Sequence, residues 1–211
     1  WTPRDDIDRL AASGAIDLAD NAVARDYLAG KIDFRPQTKA VEPELTNLSA
    51  ESMDLYRVGK EVYHRDGHCV TCHQADGKGL PNIYPSLSLN EWVQGDEERL
   101  IKIVLKGLWG DIEVGDQKFE MNKGVPPMIG FGPMLTDKEI AGALTYVRQS
   151  FENKLLPVKT ETVTRVREQT KDRVNYYTVE ELIRENPFPP KPGGSPTPDK
   201  DGADPGATRS K

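Results

Sequence analysis

The sequence predicts an all-α fold: one helical domain over residues 48–153, a partly helical extension before it and a helical extension after it. Three stretches carry that prediction. Ser49 can cap a helix running to about Arg65, with Leu55, Val58, Gly59, Val62 and Tyr63 on its apolar side and Gly67 closing it. "DEERLIKIVLKGLW" (96–109) has the spacing of a second amphipathic helix. "TDKEIAGALTYVRQSFEN" is the clearest of the three. Thr136 with Glu139 makes a capping box, and Leu135 with Ile140 a hydrophobic staple across it.

The remaining elements follow from the same rules. In residues 1–47, "DDIDRLAAS" and "DLADNAVARDYLAG" place apolar residues at helical spacing, and "DFRPQTKAVEPEL" reads as an extended connector. "DIEVGDQKFE" predicts a short hairpin turning at Gly115-Asp116. In the extension at 154–186, "TETVTRVREQTKD" is helical and "TVEELIREN" carries a second capping box, Thr178 with Glu181. From 187 to 211 the chain is rich in Pro and Gly and has almost nothing to bury, which predicts a disordered tail.

Composition narrows the function. The formal charge is −6, from 28 basic and 34 acidic residues, with no dominant basic stretch, so nucleic acid is not expected as a partner. A hydrophobic share of 36% with 16 Pro and 18 Gly fits a chain partly outside any core. No apolar run approaches the roughly 20 residues that span a bilayer. With no initial Met and no secretory apolar region, the sequence reads as a mature protein after signal removal, or as a domain cut from a longer one.

All the thiol and imidazole chemistry sits in "HRDGHCVTCHQ": Cys69, Cys72, His64, His68 and His73. C-x-x-C-H allows three readings. A thiol–disulfide pair would want a βαβ setting, which is missing. Zinc would want four N/S ligands, usually with a second pair from a separate segment, and none is offered. Covalent haem attachment is the third, and C-x-x-C-H is its signature. Two thiols three residues apart can form thioethers with the haem vinyl groups, and His73 follows to ligate the iron. Haem c is therefore the cofactor the residues favour. For the other face of the iron, Met128 in "KGVPPMIGFGPMLTDKEI" is the candidate, since Pro126 and Pro127 stiffen its approach. Met121 is the competitor, whereas Met53 and Met134 read as packing.

The ordered set "CVTCH", "GKGLPNIYPSL", "NEWV", "LIKIVLKGLWGDIEV" and "MIGFGPMLTDKEIAGALTYVR" resembles the small helical monohaem cytochromes c over residues 49–153. The resemblance implies a ligand Met nine residues before the Asp that opens the last helix, which Met128 and Asp137 fit. It further implies a hydrogen bond from His73 to the carbonyl of Pro85, and a first-to-last helix crossing with Gly59 and Tyr63 against Ala143 and Tyr146. Family members more often have Pro after the ligand Met, where this chain has Ile129. Residues 154–186 are similar to extensions on cytochrome subunits of periplasmic alcohol and sugar dehydrogenases.

An indole N–H of Trp92 or Trp109 could reach the haem or its propionates, but Trp92 reads first as core packing and Trp109 equally as packing or haem contact, and His64 and His68 read as surface or helix-end residues. The expected function is one-electron transfer rather than substrate conversion, alone or as the electron-transfer subunit or domain of a dehydrogenase. Its partners would be redox proteins, with a dehydrogenase as donor and a cytochrome or oxidase as acceptor, in the periplasm or another exported bacterial setting. Two alternatives stand beside it: a haem with an open sixth site, as in a gas sensor or peroxidase-like enzyme, and a zinc-binding structural module.

Overall fold

A computed structural model describes residues 48–188 and, ahead of them, residues 9, 11–14, 17–19 and 22–29. Helix α1, Ala22–Leu28, falls within the predicted N-terminal helix. Most of "DDIDRLAAS", the connector before residue 48 and residues 189–211 of the predicted tail lie outside the described residues, whereas Phe188, assigned to that tail, packs against Trp92.

Local side-chain caps start several of the helices. Ser49 caps α2 (Ala50–Tyr63), its hydroxyl accepting from the Ser52 amide. The "CVTCH" stretch is itself the single helical turn α3 (Cys69–His73). Asn90 caps α4 (Glu91–Gln94) by accepting from Trp92 and Val93, and Asp96 caps α5 (Glu97–Lys106) by accepting from Glu98 and Arg99. Both predicted capping boxes form, Thr136 with Glu139 on α6 (Asp137–Gln149) and Thr178 with Glu181 on α8 (Val179–Glu185). Between these two lies α7 (Thr160–Gln169).

The fold is largely helical but not all-α. The second amphipathic helix stops at Lys106 instead of Trp109, because Gly107 takes a left-handed φ of 83° and its neighbours are claimed by a sheet. Strand β1 (Gly107–Trp109) pairs antiparallel with β4 (Met128–Ile129) and parallel with β5 (Tyr177–Thr178). The hairpin at Gly115-Asp116 is present as β2 (Ile112–Val114) and β3 (Gln117–Phe119).

Helices α2 and α6 cross at a glycine pair. A Cβ on Gly142 would lie 2.8 Å from the Leu55 carbonyl oxygen and 2.9 Å from the Gly59 nitrogen, so no side chain fits between the backbones. The resemblance set Gly59 against Ala143, whose nitrogen would stand 2.8 Å from a Cβ on Gly59; Gly142 comes closer still. Tyr63 and Tyr146 meet beside the crossing at a ring separation of 5.2 Å, as expected.

The extension after residue 153 shares the core of the preceding domain. Val163 and Val166 of α7 are fully buried with Leu100, Leu105, Ile140 and Leu144. Tyr177 and Leu182 join Trp92, Leu108 and Phe119. Met134, read as core from sequence, is 57% exposed. The turn donating Met134 and Leu135 amides to the Phe131 carbonyl sends Leu135 inward and Met134 out. Among the described residues no helix is long and apolar enough to cross a membrane.

Candidate functional site

Cys69 and Cys72 lie three residues apart on α3, the separation that puts two side chains on one helical face. Both thiols are unpaired. Burial pushes the Cys69 thiol up to about 11 and raises that of Cys72 as well, so neither has the lowered pKa of a thiolate redox pair. His73 closes the turn and is buried. Its Nδ1 lies 3.0 Å from the Pro85 carbonyl oxygen; since a carbonyl can only accept, Nδ1 carries the proton and Nε2 is the nitrogen left to ligate. Burial holds the imidazole below its ordinary pKa, in the neutral form a metal requires, against the opposing pull of the Pro85 bond.

The loop after the motif aims that carbonyl. The Gly79 amide donates to the His73 carbonyl at 3.0 Å, and Leu80 donates to Tyr84 at 2.9 Å. Gly79 has φ 67°, and a Cβ there would stand 2.2 Å from the Tyr84 oxygen and 2.6 Å from the Pro85 oxygen. Only glycine lets the loop fold back this closely. The "GKGL" stretch carries no role for Gly79 in the sequence itself; the signal that could have marked it is a glycine six residues past His73.

The strands supply a second wall. Met128 pairs with Leu108 in the β4–β1 register, and Ile129 with Gly107. The Phe131 amide then donates to Val104 at 2.7 Å, tying the chain after Met128 to the end of α5. Met128 is the methionine that lines the cavity between these walls. Met121 sits outside that lining, on the 3₁₀ turn Met121–Lys123, with its amide bonded to Asp111 at 2.8 Å.

Trp92 packs in the core, as its packing reading had it, and also reaches the cavity, whereas Trp109 does neither. Trp92 is buried, lines the cavity and donates its indole N–H to the Glu113 carbonyl at 2.7 Å. Trp109 is 50% exposed, lies outside the lining and faces the ring of Tyr176 at 6.0 Å. Strand alternation is the reason: in β1, Leu108 points in and Trp109 out. His64 is an exposed helix C-cap whose Nε2 lies 3.1 Å from the Tyr146 hydroxyl. His68 also lines the cavity, stacked on Phe131 at 5.5 Å. Among the described residues no group of three or more His, Cys, Asp or Glu is placed to hold a metal ion, which leaves the zinc reading without a ligand set.

The cavity measures about 410 Å³, within the roughly 300–1,000 Å³ range of cofactor and ligand sites. Its walls are mainly apolar, with Val93, Leu100, Ile103, Val104, Phe119 and Leu144 among them. Gly67, Thr71, Pro126 and Ile129 line it and are also exposed, so it opens to the surface. A mainly apolar group with one edge near a pair of thiols suits this lining.

A largely helical domain around an apolar cavity that meets Cys69, Cys72 and His73 points to a class, the monohaem c-type cytochromes. Comparison with known proteins agrees: residues 57–151 match the model of the Cytochrome c family, and this chain carries a cytochrome c domain over that span. The chain is 37% identical over 93 residues to a cytochrome c-552 of Thermus thermophilus, an alignment covering 42% of this chain and 64% of that protein. It is similar to the same degree to a further cytochrome c-552 of Thermus thermophilus, over 57% of that protein. It therefore spans less than two thirds of the length of either relative. The cofactor of the family is covalently bound haem c with its iron.

Proposed function

We propose that this chain transfers single electrons through a haem c joined to Cys69 and Cys72 by thioethers, with His73 and Met128 as axial ligands. The reading rests on one observation above the others: His73 and Met128 line the same mainly apolar cavity, and Met128 alone of the four methionines does so.

Bound there, haem supplies a one-electron Fe(III)/Fe(II) couple. The protein's part is to fix what surrounds it. Pro85 accepts from His73 and strengthens it as a donor, and the apolar walls keep water from the iron. A thioether is a soft, neutral ligand that favours the ferrous state and raises the potential relative to a second histidine. With both axial places taken, small molecules have no site to react at, which supports a carrier over a gas sensor or peroxidase-like enzyme. Cys69 and Cys72 hold the cofactor through each short encounter with a redox partner. The setting that suits it is the periplasm or another exported location, with a dehydrogenase as donor and a cytochrome or oxidase as acceptor.

The test is a visible spectrum of the protein made in a host that attaches haem, oxidised and then reduced. Sharp reduced c-type bands, with a weak far-red sulfur band in the oxidised form that disappears in Met128→Ala, are expected. A far-red band that survives Met128→Ala would move the ligand to another methionine. Carbon monoxide shifting the reduced spectrum at once would favour the open-site reading.

A further inference from the structure

The chain after Met128 does not hold itself in place. Residues 130–136 run from β4 to the cap of α6, and one side chain from the C-terminal extension bonds two of their carbonyls and the Asp137 carboxylate that follows. Arg167 of α7 donates from Nη1 to the Gly132 carbonyl at 2.6 Å and from Nη2 to the Leu135 carbonyl at 2.8 Å. Its Nε donates to Asp137 Oδ1 at 2.5 Å, and the other Asp137 oxygen accepts from Thr164 at 2.6 Å. A planar guanidinium offers this fork in fixed geometry, and a lysine cannot reproduce it. The extension also backs the strand that pairs with Met128. Strand β5 pairs Tyr177 with Leu108, whose other neighbour is Met128. Residues 160–178 thus support Met128 indirectly by two routes, through the chain that follows it and through β1, although no residue of that stretch lines the cavity.

We infer that Arg167 is a positioning residue, which holds the 130–136 arm so that the Met128 sulfur stays at the iron, and that the C-terminal extension thereby sets how readily the sixth position opens to other ligands. This rests on the His73/Met128 reading and deepens it. The extension is a built-in clamp that keeps the site closed, so the haem exchanges electrons without exchanging ligands. Arg165, two residues earlier, makes only a surface ion pair with Glu98 at 2.7 Å and touches nothing in the arm, so it serves as a control on the same helix.

The experiment uses the full chain with haem attached, as unmodified protein, Arg167→Met, Arg167→Lys and Arg165→Ala. Two quantities are read: hydrogen exchange of the Phe131, Gly132 and Leu135 amides, and the affinity of added imidazole for the oxidised protein, followed by loss of the far-red band. Arg167→Met is expected to exchange those amides faster and to bind imidazole about 10- to 100-fold more tightly, the scale set by losing charged hydrogen bonds. Arg167→Lys should fall between, and carries the test alone if Arg167→Met does not fold. Arg165→Ala should match the unmodified protein. Unchanged exchange in Arg167→Met overturns the clamp. Equal effects from Arg165→Ala would overturn it too, by showing general loosening. A far-red band missing from the unmodified protein overturns the ligand reading instead, so the two failures are distinguishable.

Discussion

A Cβ on Gly59 would stand 1.8 Å from the carbonyl oxygen of Gly142. Helices α2 and α6 therefore touch backbone to backbone, and the tyrosines around the contact, Tyr56, Tyr63 and Tyr146, pack at 5.2 Å spacings that depend on it. Gly59→Ala must push the helices apart. Overpacking of this kind costs about 1–3 kcal/mol or more, and in a domain of this size each kcal/mol lowers the melting temperature by about 2–4 °C. Calorimetry on the haem-loaded protein checks it. An unchanged melt would mean the helices can separate without loss.

Gly79→Ala tests the link between a loop and the iron's electronics. The added methyl would meet the Tyr84 and Pro85 carbonyls in a backbone conformation that alanine resists, at a cost of about 1–3 kcal/mol. The loop must shift, and the 3.0 Å bond from His73 to Pro85 lengthens with it. A histidine that donates less strongly to its carbonyl is a weaker donor to iron, so the ferric form loses support and the reduction potential rises. Protein-film voltammetry gives the sign directly. A potential that stays put while stability falls would limit Gly79 to folding.

How much of this was legible follows the range of the interactions. Caps are local, so Ser49, Thr136 with Glu139 and Thr178 with Glu181 could be read directly, as could the turn at Gly115-Asp116. "KGLW" continues a helical pattern, and what overrides it is pairing with Ile129 and Tyr177, partners far along the chain. That one override also moved Trp109 out of reach of the cavity, since strand and helix aim side chains differently. The hydrogen bond from His73 to Pro85 came from family resemblance; nothing in the spacing alone dictates it. Arg167 was unreadable for a plainer reason: its carbonyl partners, Gly132 and Leu135, have no side-chain signature. The valines of α7 show helical spacing, but the residues that bury them, Ile140 and Leu144, lie in another helix.

Acid should weaken the Arg167 cluster first through Asp137. Burial raises its carboxyl, but the bonds from Thr164 and Arg167 outweigh that and hold it below the usual 3.8. The unfolded chain therefore takes up this proton before the folded one does. The stabilisation is whole above about pH 4 and is lost as pH falls through the folded-state pKa. Asp137→Asn removes this contribution, so denaturant midpoints measured between about pH 5 and 2 should fall less steeply in the variant. Parallel curves for the two proteins would show that Asp137 is not a source of acid sensitivity.

The far end of the extension is tied to the cavity through Arg99. Its side chain is fully buried, with the guanidinium 3.9 Å from the Phe188 ring centre and 5.4 Å from that of Trp92. Nη1 donates to the Asn186 carbonyl at 2.5 Å, and the adjacent Lys102 binds Glu185 and Asn186 at 2.8 and 2.7 Å. Phe188 thus covers a buried cation and the edge of Trp92, which it meets ring to ring at 5.1 Å. Phe188→Ala uncovers both, with a loss of about 1–3 kcal/mol from missing packing and cation–π contact. Arg99→Lys should cost a similar amount, because an ammonium cannot stack on a ring as a guanidinium does. Because Trp92 lines the haem cavity, loosening it should also change the circular dichroism of the haem band. A Phe188→Ala protein that melts lower but keeps that signal would confine the anchor to stability. Loss of both would make residues 186–188 part of the cavity's support.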